Sequence, residues 1–194
     1  MKGRGTYDKL SRSAGLLFQD YGYVAVSIRE IVSAVHVPKG TFYNYFASKE
    51  ALAASIVEQQ FRDLYSSLPQ PDDGDIVQKL RLYFHAASNC PQQKELCPLR
   101  LLGTFAAESP VLTPLLKTQV ASGVRRWSDH LATLLSSAQD HGELSAVIAP
   151  SLLANVLISG TLGAAIRAKC DPSVEPLEAP AQFAFDCLRS SPHS

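Results

Sequence analysis

The sequence predicts an all-α protein, and three observations predict it. Apolar residues recur at i, i+3, i+4 and i+7 along nearly the whole chain. No segment alternates apolar and polar residues as a half-buried strand does, and no stretch repeats. The composition is globular: 46% hydrophobic and 19% charged over 194 residues, enough to bury a core in one compact domain or one domain with a small appendage.

The elements follow in order. Leu10, Ala14, Leu17, Phe18 and Tyr21 lie on one face of a first helix, which Gly22 stops. Ser27-Ile-Arg-Glu30 is a capping box, so Ser27 opens a second helix whose buried face is Ile28, Ile31, Val32 and Val35. After the break at His36-Val37, Pro38 suits the first turn of a third helix, Lys39 to about Phe46. Ser48 starts a fourth, fading at Ser66-Ser67, and the polar stretch Pro69–Asp75 is a connection. Five more helices are expected: Asp75 to Ser88, Pro98 to Glu108, Pro110 to about His141 ended by Gly142, Ser151 to Lys169, and Ala179 to Arg189. The total is about nine.

Charge narrows the function. The chain has 18 Lys and Arg against 18 Asp and Glu, which excludes a polybasic coat. The first fifty residues nonetheless hold seven basic residues (Lys2, Arg4, Lys9, Arg12, Arg29, Lys39, Lys49) and four acidic ones (Asp8, Asp20, Glu30, Glu50). A basic head on a mildly acidic body suits an end that meets phosphates. Four cysteines are too few for a disulfide scaffold. The apolar run Ala14–Phe18 is too short for a signal peptide, and no uninterrupted run reaches the roughly 18 apolar residues of a membrane span. A cytoplasmic protein with reduced thiols and no membrane contact is expected.

Helix, capped helix, short turn, helix is a helix-turn-helix arrangement. In the third helix Phe42 and Phe46 face inward, leaving Thr41, Tyr43, Asn44 and Tyr45 mostly outside. Asn pairs bidentately with adenine, and a Thr methyl touches the thymine methyl. Tyr hydroxyls and Lys reach phosphates. Gly40 permits close approach to DNA, and Lys49 at the start of the fourth helix is placed to clamp a phosphate. A helical hairpin with surface tyrosines is the plainer alternative.

The stretch Gly22-Tyr23 … Ser27-Ile-Arg-Glu-Ile31 … Val37-Pro-Lys-Gly-Thr-Phe-Tyr-Asn-Tyr-Phe-Ala-Ser-Lys-Glu-Ala-Leu52 resembles the TetR family of bacterial transcriptional regulators over about the first 60 residues. The resemblance implies a phosphate contact at Ser27 and groove contacts at Lys39, Gly40, Thr41, Tyr43, Asn44 and Tyr45. It also implies a phosphate-binding Lys49. His36 stands where the family usually has Gly; His tolerates left-handed geometry, so a similar turn is expected. The resemblance further implies a helix-turn-helix domain over 1–48 and a helical ligand-binding and dimerisation domain over 49–194. The last two helices, about 151–169 and 179–189, would form a homodimer interface. Independently, Ser151–Ile166 carries no charge and has small residues at Gly160, Gly163, Ala164 and Ala165, as a buried helix does. The expected partners are palindromic operator DNA and a small-molecule inducer, with the protein a repressor and no cofactor or metal.

Cys97-Pro98-Leu99-Arg100-Leu101-Leu102-Gly103-Thr104-Phe105-Ala106-Ala107-Glu108 is similar to one subgroup of that family, some of whose members sense electrophiles or reactive small acids. Leu96 replaces that subgroup's usual Gly, and Pro98 follows the Cys. Pro98 at the first helical position places Cys97 at the cap, where the helix dipole favours thiolate; a buried thiol packed as a small hydrophobe is the alternative. Cys90 is the nearest resolving thiol, and Cys170 and Cys187 read as structural. Cys97, Phe105, Glu108 and Trp127 are the candidate ligand-binding or sensing residues, with Glu108 either an inducer anchor or a surface residue. The spacing of His85, Cys90 and Cys97 matches no common zinc pattern. His130 and His141 are expected at the surface. No Cys-His-Asn or Ser-His-Asp order and no Gly-rich phosphate loop points to an enzyme. A helical adaptor that binds protein is the remaining rival.

Overall fold

The structure is a computed structural model that describes residues 2–71, 74–88, 96–171 and 177–189. Among these lie nine α-helices: α1 Lys2–Tyr21, α2 Ile28–Ala34, α3 Lys39–Tyr43, α4 Lys49–Ser66, α5 Ile76–Ser88, α6 Pro98–Ala107, α7 Pro114–Asp140, α8 Pro150–Cys170 and α9 Ala179–Leu188. A 3-10 turn at Ser109–Val111 separates α6 from α7, so the long helix starts later than Pro110. Among the described residues the only β-type pairing is an isolated bridge between Leu144 and Arg189. Cys90 lies outside the described residues.

The expected local signals operate. The Ser27 hydroxyl accepts the Glu30 N–H while the Glu30 side chain takes the Ser27 N–H, a reciprocal box. His36 has φ +56°, its N–H bonds to Ser33 O and the Val37 N–H to Val32 O. That is a Schellman ending with His in the left-handed position. Pro38 proves to be the N-cap of α3 rather than its first turn. The regular part of α3 ends at Tyr43, sooner than Phe46, and the chain continues as a tight turn in which the Tyr45 and Phe46 N–H groups both bond to Phe42 O.

The first three helices share a core that is continuous with that of the body. Leu10, Ala14 and Phe18 of α1 meet Ile31 of α2 and Phe42 of α3, all fully buried. Tyr7 lies against Phe46 at 4.9 Å between ring centroids. α4 joins this head to the body: Leu52 and Ala53 belong to its first turns and Phe61 and Leu64 to its last, and all are buried. In the body, α7 packs between α4 and α8, and α6 lies against α1, α4 and α8. An ion pair, Arg81–Asp186 at 2.6 Å, ties α5 to α9, and a His85 Nδ1–Glu178 Oε1 contact at 3.0 Å ties α5 to the residue preceding α9.

α4 and α7 approach closely at Gly123. A Cβ at Gly123 would lie 2.2 Å from the Phe61 ring, and the Tyr65 hydroxyl donates to Gly123 O at 2.6 Å. Gly123→Ala should therefore overpack the core and cost about 1–3 kcal/mol, read as a lower urea midpoint at unchanged slope.

α8 corrects one expectation in part. It is apolar on most sides, and by length and composition it could cross a membrane, yet only one side is covered within the chain. Leu153, Leu157 and Ala165 are buried, whereas Val156 is 54% exposed and Phe183 of α9 is 72% exposed. Cys170 and Cys187 are exposed, not the structural thiols expected, while His130 and His141 lie at the surface as expected.

Candidate nucleic-acid interface and its link to the helical body

The α2–α3 pair sets the reading surface. Phe42 is buried at 0% and anchors α3, which turns Lys39, Gly40, Tyr43 and Asn44 outward. Tyr43 is 51% exposed and Thr41 half-buried. Tyr45 is half-buried as well, edge-on to Tyr7 of α1 at 6.5 Å. Ser27 is exposed at the start of α2, and its hydroxyl donates to Glu30 Oε2 at 2.7 Å. The hydrogen bonds from Ser27 hold the Glu30 carboxyl below its ordinary pKa, with a smaller contribution from the Lys49 charge.

Lys49 is deeper in the architecture than its sequence position suggests. Its ammonium donates to Tyr23 O at 2.8 Å and Val26 O at 2.7 Å, and it sits 4.3 Å from the Tyr23 ring centroid. Burial pushes its pKa down, against the charges of Glu108 and Glu30. The Lys49 side chain thus staples α4 to the segment that joins α1 to α2.

The same segment is held from the other side. Glu108, at the end of α6, accepts the Tyr23 N–H at 2.9 Å and the Val24 N–H at 3.3 Å. Gly22 makes this possible: its φ is +91°, and a Cβ there would lie 2.1 Å from Glu108 Oε1. A carboxylate from the body and a lysine from α4 therefore grip the N–H and C=O groups of one short connector. That connector leads directly into α2.

Two further links run between α1 and α6. The buried Gln19 side chain accepts the Cys97 N–H at 2.7 Å. The Thr104 hydroxyl donates to Arg100 O at 2.9 Å, has Gln19 O as a longer second acceptor at 3.3 Å, and accepts from Lys169 of α8 at 2.7 Å. Burial pushes the Lys169 pKa down, opposed by the charges of Glu108, Asp20 and Cys170.

Among the described residues the four candidate sensing residues occupy different parts of the fold. Cys97 is fully buried as the N-cap of α6. Phe105 packs on Phe18 at 6.0 Å and Tyr23 at 5.7 Å, in the junction with the head. Glu108 holds the connector. Trp127 lies buried in α7, beside Tyr83. Sequence reasoning missed Gln19, Thr104 and Lys169. For Gln19 a signal existed, a polar residue beside the buried stripe of α1; Lys169 carried none. Among the described residues no cluster of three His, Cys, Asp or Glu side chains is arranged to hold a metal.

An open groove of about 600 Å³ runs between α4, α5 and the start of α6, lined by residues that include Leu64, Leu82, Tyr83, Ala87 and Pro98. Its walls are chiefly apolar, with Asp63 and Lys79 at the edge.

A small helix-turn-helix head fixed to a larger helical body with an uncovered apolar face defines a class, the DNA-binding regulators with a sensing domain. The family is shown by comparison. The profile of bacterial regulatory proteins of the tetR family matches residues 12–56, and the tetracyclin repressor-like C-terminal domain matches residues 77–183. The chain is 29% identical over 178 residues to the HTH-type transcriptional repressor DhaR of Mycobacterium sp. (strain GP1), covering 90% of this chain and 88% of that one. It is 31% identical over 159 residues to the transcriptional regulator AcuR of Cereibacter sphaeroides, covering 80% and 73%. The crystal structure of a TetR-family regulator from Agrobacterium tumefaciens shares the fold with a TM-score of 0.87 at 20% identity, covering 97% of this chain and all of that one. The chain belongs to the TetR family and is a ligand-responsive, DNA-binding transcriptional regulator, not an enzyme.

Proposed function

We propose that the protein is a homodimeric, cytoplasmic repressor that holds a palindromic operator until a small molecule releases it. The head is 1–48 and the sensing and dimerisation body 49–194. The observation that carries the reading is the exposed Lys39-Gly40-Thr41 … Tyr43-Asn44 face of α3, anchored by buried Phe42. Asn44 and Thr41 read base edges in the major groove; Ser27, Lys39, Tyr43 and Tyr45 position the backbone; Gly40 allows the approach. The uncovered apolar faces of α8 and α9 supply the two-fold contact.

Lys49 acts in this reading through the connector rather than on a phosphate, because its ammonium already has two carbonyls and a ring. Lys49→Met should weaken operator binding yet leave the slope of log affinity against log salt unchanged. Loss of a direct phosphate contact would flatten that slope by about one per protomer. Anisotropy titrations over a salt series decide between them, and absence of any salt-dependent saturable binding by the wild type removes the repressor reading.

Release works through α6. It carries Thr104 and Glu108, with Cys97 as its N-cap, so a shift of α6 pulls the α1 end and the connector together. The groove beside Pro98 is the inducer site. Its occupant favours release only as far as it prefers the shifted state.

Modification of Cys97 is the second route, favoured by its place at the start of α6. Full burial opposes it, since thiol chemistry needs access. A short N-ethylmaleimide pulse on the native protein, followed by peptide mapping, should leave Cys97 unlabelled and the operator complex intact. Prompt labelling of Cys97 with operator release would establish the thiol route instead.

A further inference from the structure

A second recess lies at the seam between head and body. It holds about 300 Å³ and is lined by residues of α1 and α4 that include Tyr7, Ile56 and Gln60, with Leu96 from the segment before α6. Its apolar walls are fixed. Ile56 is buried, and Leu96 rests on Gly15, where an added Cβ would lie 3.1 Å from its side chain. Gln60 is 7% exposed, and its side-chain amide has no hydrogen-bond partner among the described residues. Its neighbour Gln59 differs, since that amide donates to Asp63 and accepts from Arg62. The Ser11 hydroxyl on the same wall is sealed over, whereas the Gln60 oxygen and nitrogen stay open where the residue faces the recess. A nearly buried amide without partners carries its desolvation cost uncompensated, and such groups are rare in folded proteins.

We propose that this recess is a binding site for a small, flat, neutral ring bearing a cyclic amide or imide, and that Gln60 pairs with its edge. A primary amide presents a donor and an acceptor side by side, as Gln does when it pairs bidentately with a base edge. A cyclic amide or imide offers the matching N–H and C=O. The body of the ring lies against Ile56 and Leu96. Asp8 and Arg12, one of each sign, stand exposed at the rim, so the described lining has no net charge and suits a neutral occupant. The recess and the α4–α5–α6 groove have no described lining residue in common. The site is therefore independent of the one proposed for the inducer.

Succinimide is the probe, and N-methylsuccinimide, which keeps both carbonyls but has no N–H, is the control. Amide proton–nitrogen correlation spectra of the full-length protein follow the titration. Succinimide should move the Gln60 side-chain signal saturably, together with main-chain signals of α1 and α4 around the recess. N-methylsuccinimide should bind about ten-fold more weakly, because it leaves the Gln60 oxygen covered without a donor. In Gln60→Leu the two probes should bind alike, which separates the hydrogen bond from the bulk of the added methyl group. Gln60→Met serves the same comparison if the branched side chain prevents folding. No saturable movement, equal binding of the two probes to the wild type, or a preference that survives in the Gln60 variant would each overturn the site. Movements confined to Leu64, Leu82 and Tyr83 would overturn it too, since the imide would then lie in the groove.

Discussion

Gly22→Ala should destabilise the protein by about 3–5 kcal/mol, most of it through Glu108. A side chain in left-handed geometry costs about 1–2 kcal/mol, and Gly22 has φ +91°. The added Cβ would also stand 2.1 Å from Glu108 Oε1 and expel the carboxylate. The Tyr23 N–H then loses a charged acceptor in a part-buried bond that contributes about 1.5–3 kcal/mol, while the longer, exposed Val24 bond adds little because its N–H can turn to water. Against a total stability of about 5–15 kcal/mol this is severe. The two parts separate in a double-mutant cycle. In a Glu108→Ala background the clash is gone, and Gly22→Ala should cost only the backbone term, about 1–2 kcal/mol. Urea unfolding of the four proteins measures the cycle. Full additivity would show that Gly22 and Glu108 act independently and that the connector is not held by the carboxylate.

Asn44→Ala should reduce affinity for the specific operator by about 30-fold to 10⁴-fold while leaving the fold intact. A bidentate Asn–adenine contact discriminates by about 1–3 kcal/mol, and a dimer on a palindrome makes it twice. At about 1.4 kcal/mol per tenfold, that range follows. Asn44 is exposed, so its truncation removes nothing from the core. Binding to unrelated DNA, which rests on phosphates, should change little. Competition titrations with operator and scrambled duplexes measure both. An unchanged specificity ratio would remove Asn44 from the reading surface.

The helices and their order were legible because each rests on a local cue. The Ser27–Glu30 box, the Ser48 cap and the glycine stop at residue 22 all act within a few residues. The left-handed His36 was legible for the same reason. The exposed face of α3 follows from Phe42 and Phe46 four residues apart. The junction was not legible. Glu108 meets residues 84 and 85 positions away, and Gln19 meets Cys97 78 positions away. Such pairings depend on how α6 lies across α1, which no spacing encodes. Lys49 reads as a phosphate contact from its place at the start of the fourth helix and from the family resemblance, and Glu108 as an inducer anchor or a surface residue. Their partners proved to be main-chain carbonyls and N–H groups of one connector.

The most direct test is hydroxyl-radical footprinting of the wild-type protein on the DNA flanking its own gene. Two protected patches related by two-fold symmetry, with centres about 34–36 Å or one helical turn apart, should appear. They should vanish together in Asn44→Ala at the same protein concentration. A single patch, protection with no symmetry, or a footprint indifferent to Asn44 would contradict a dimer that reads its operator through α3.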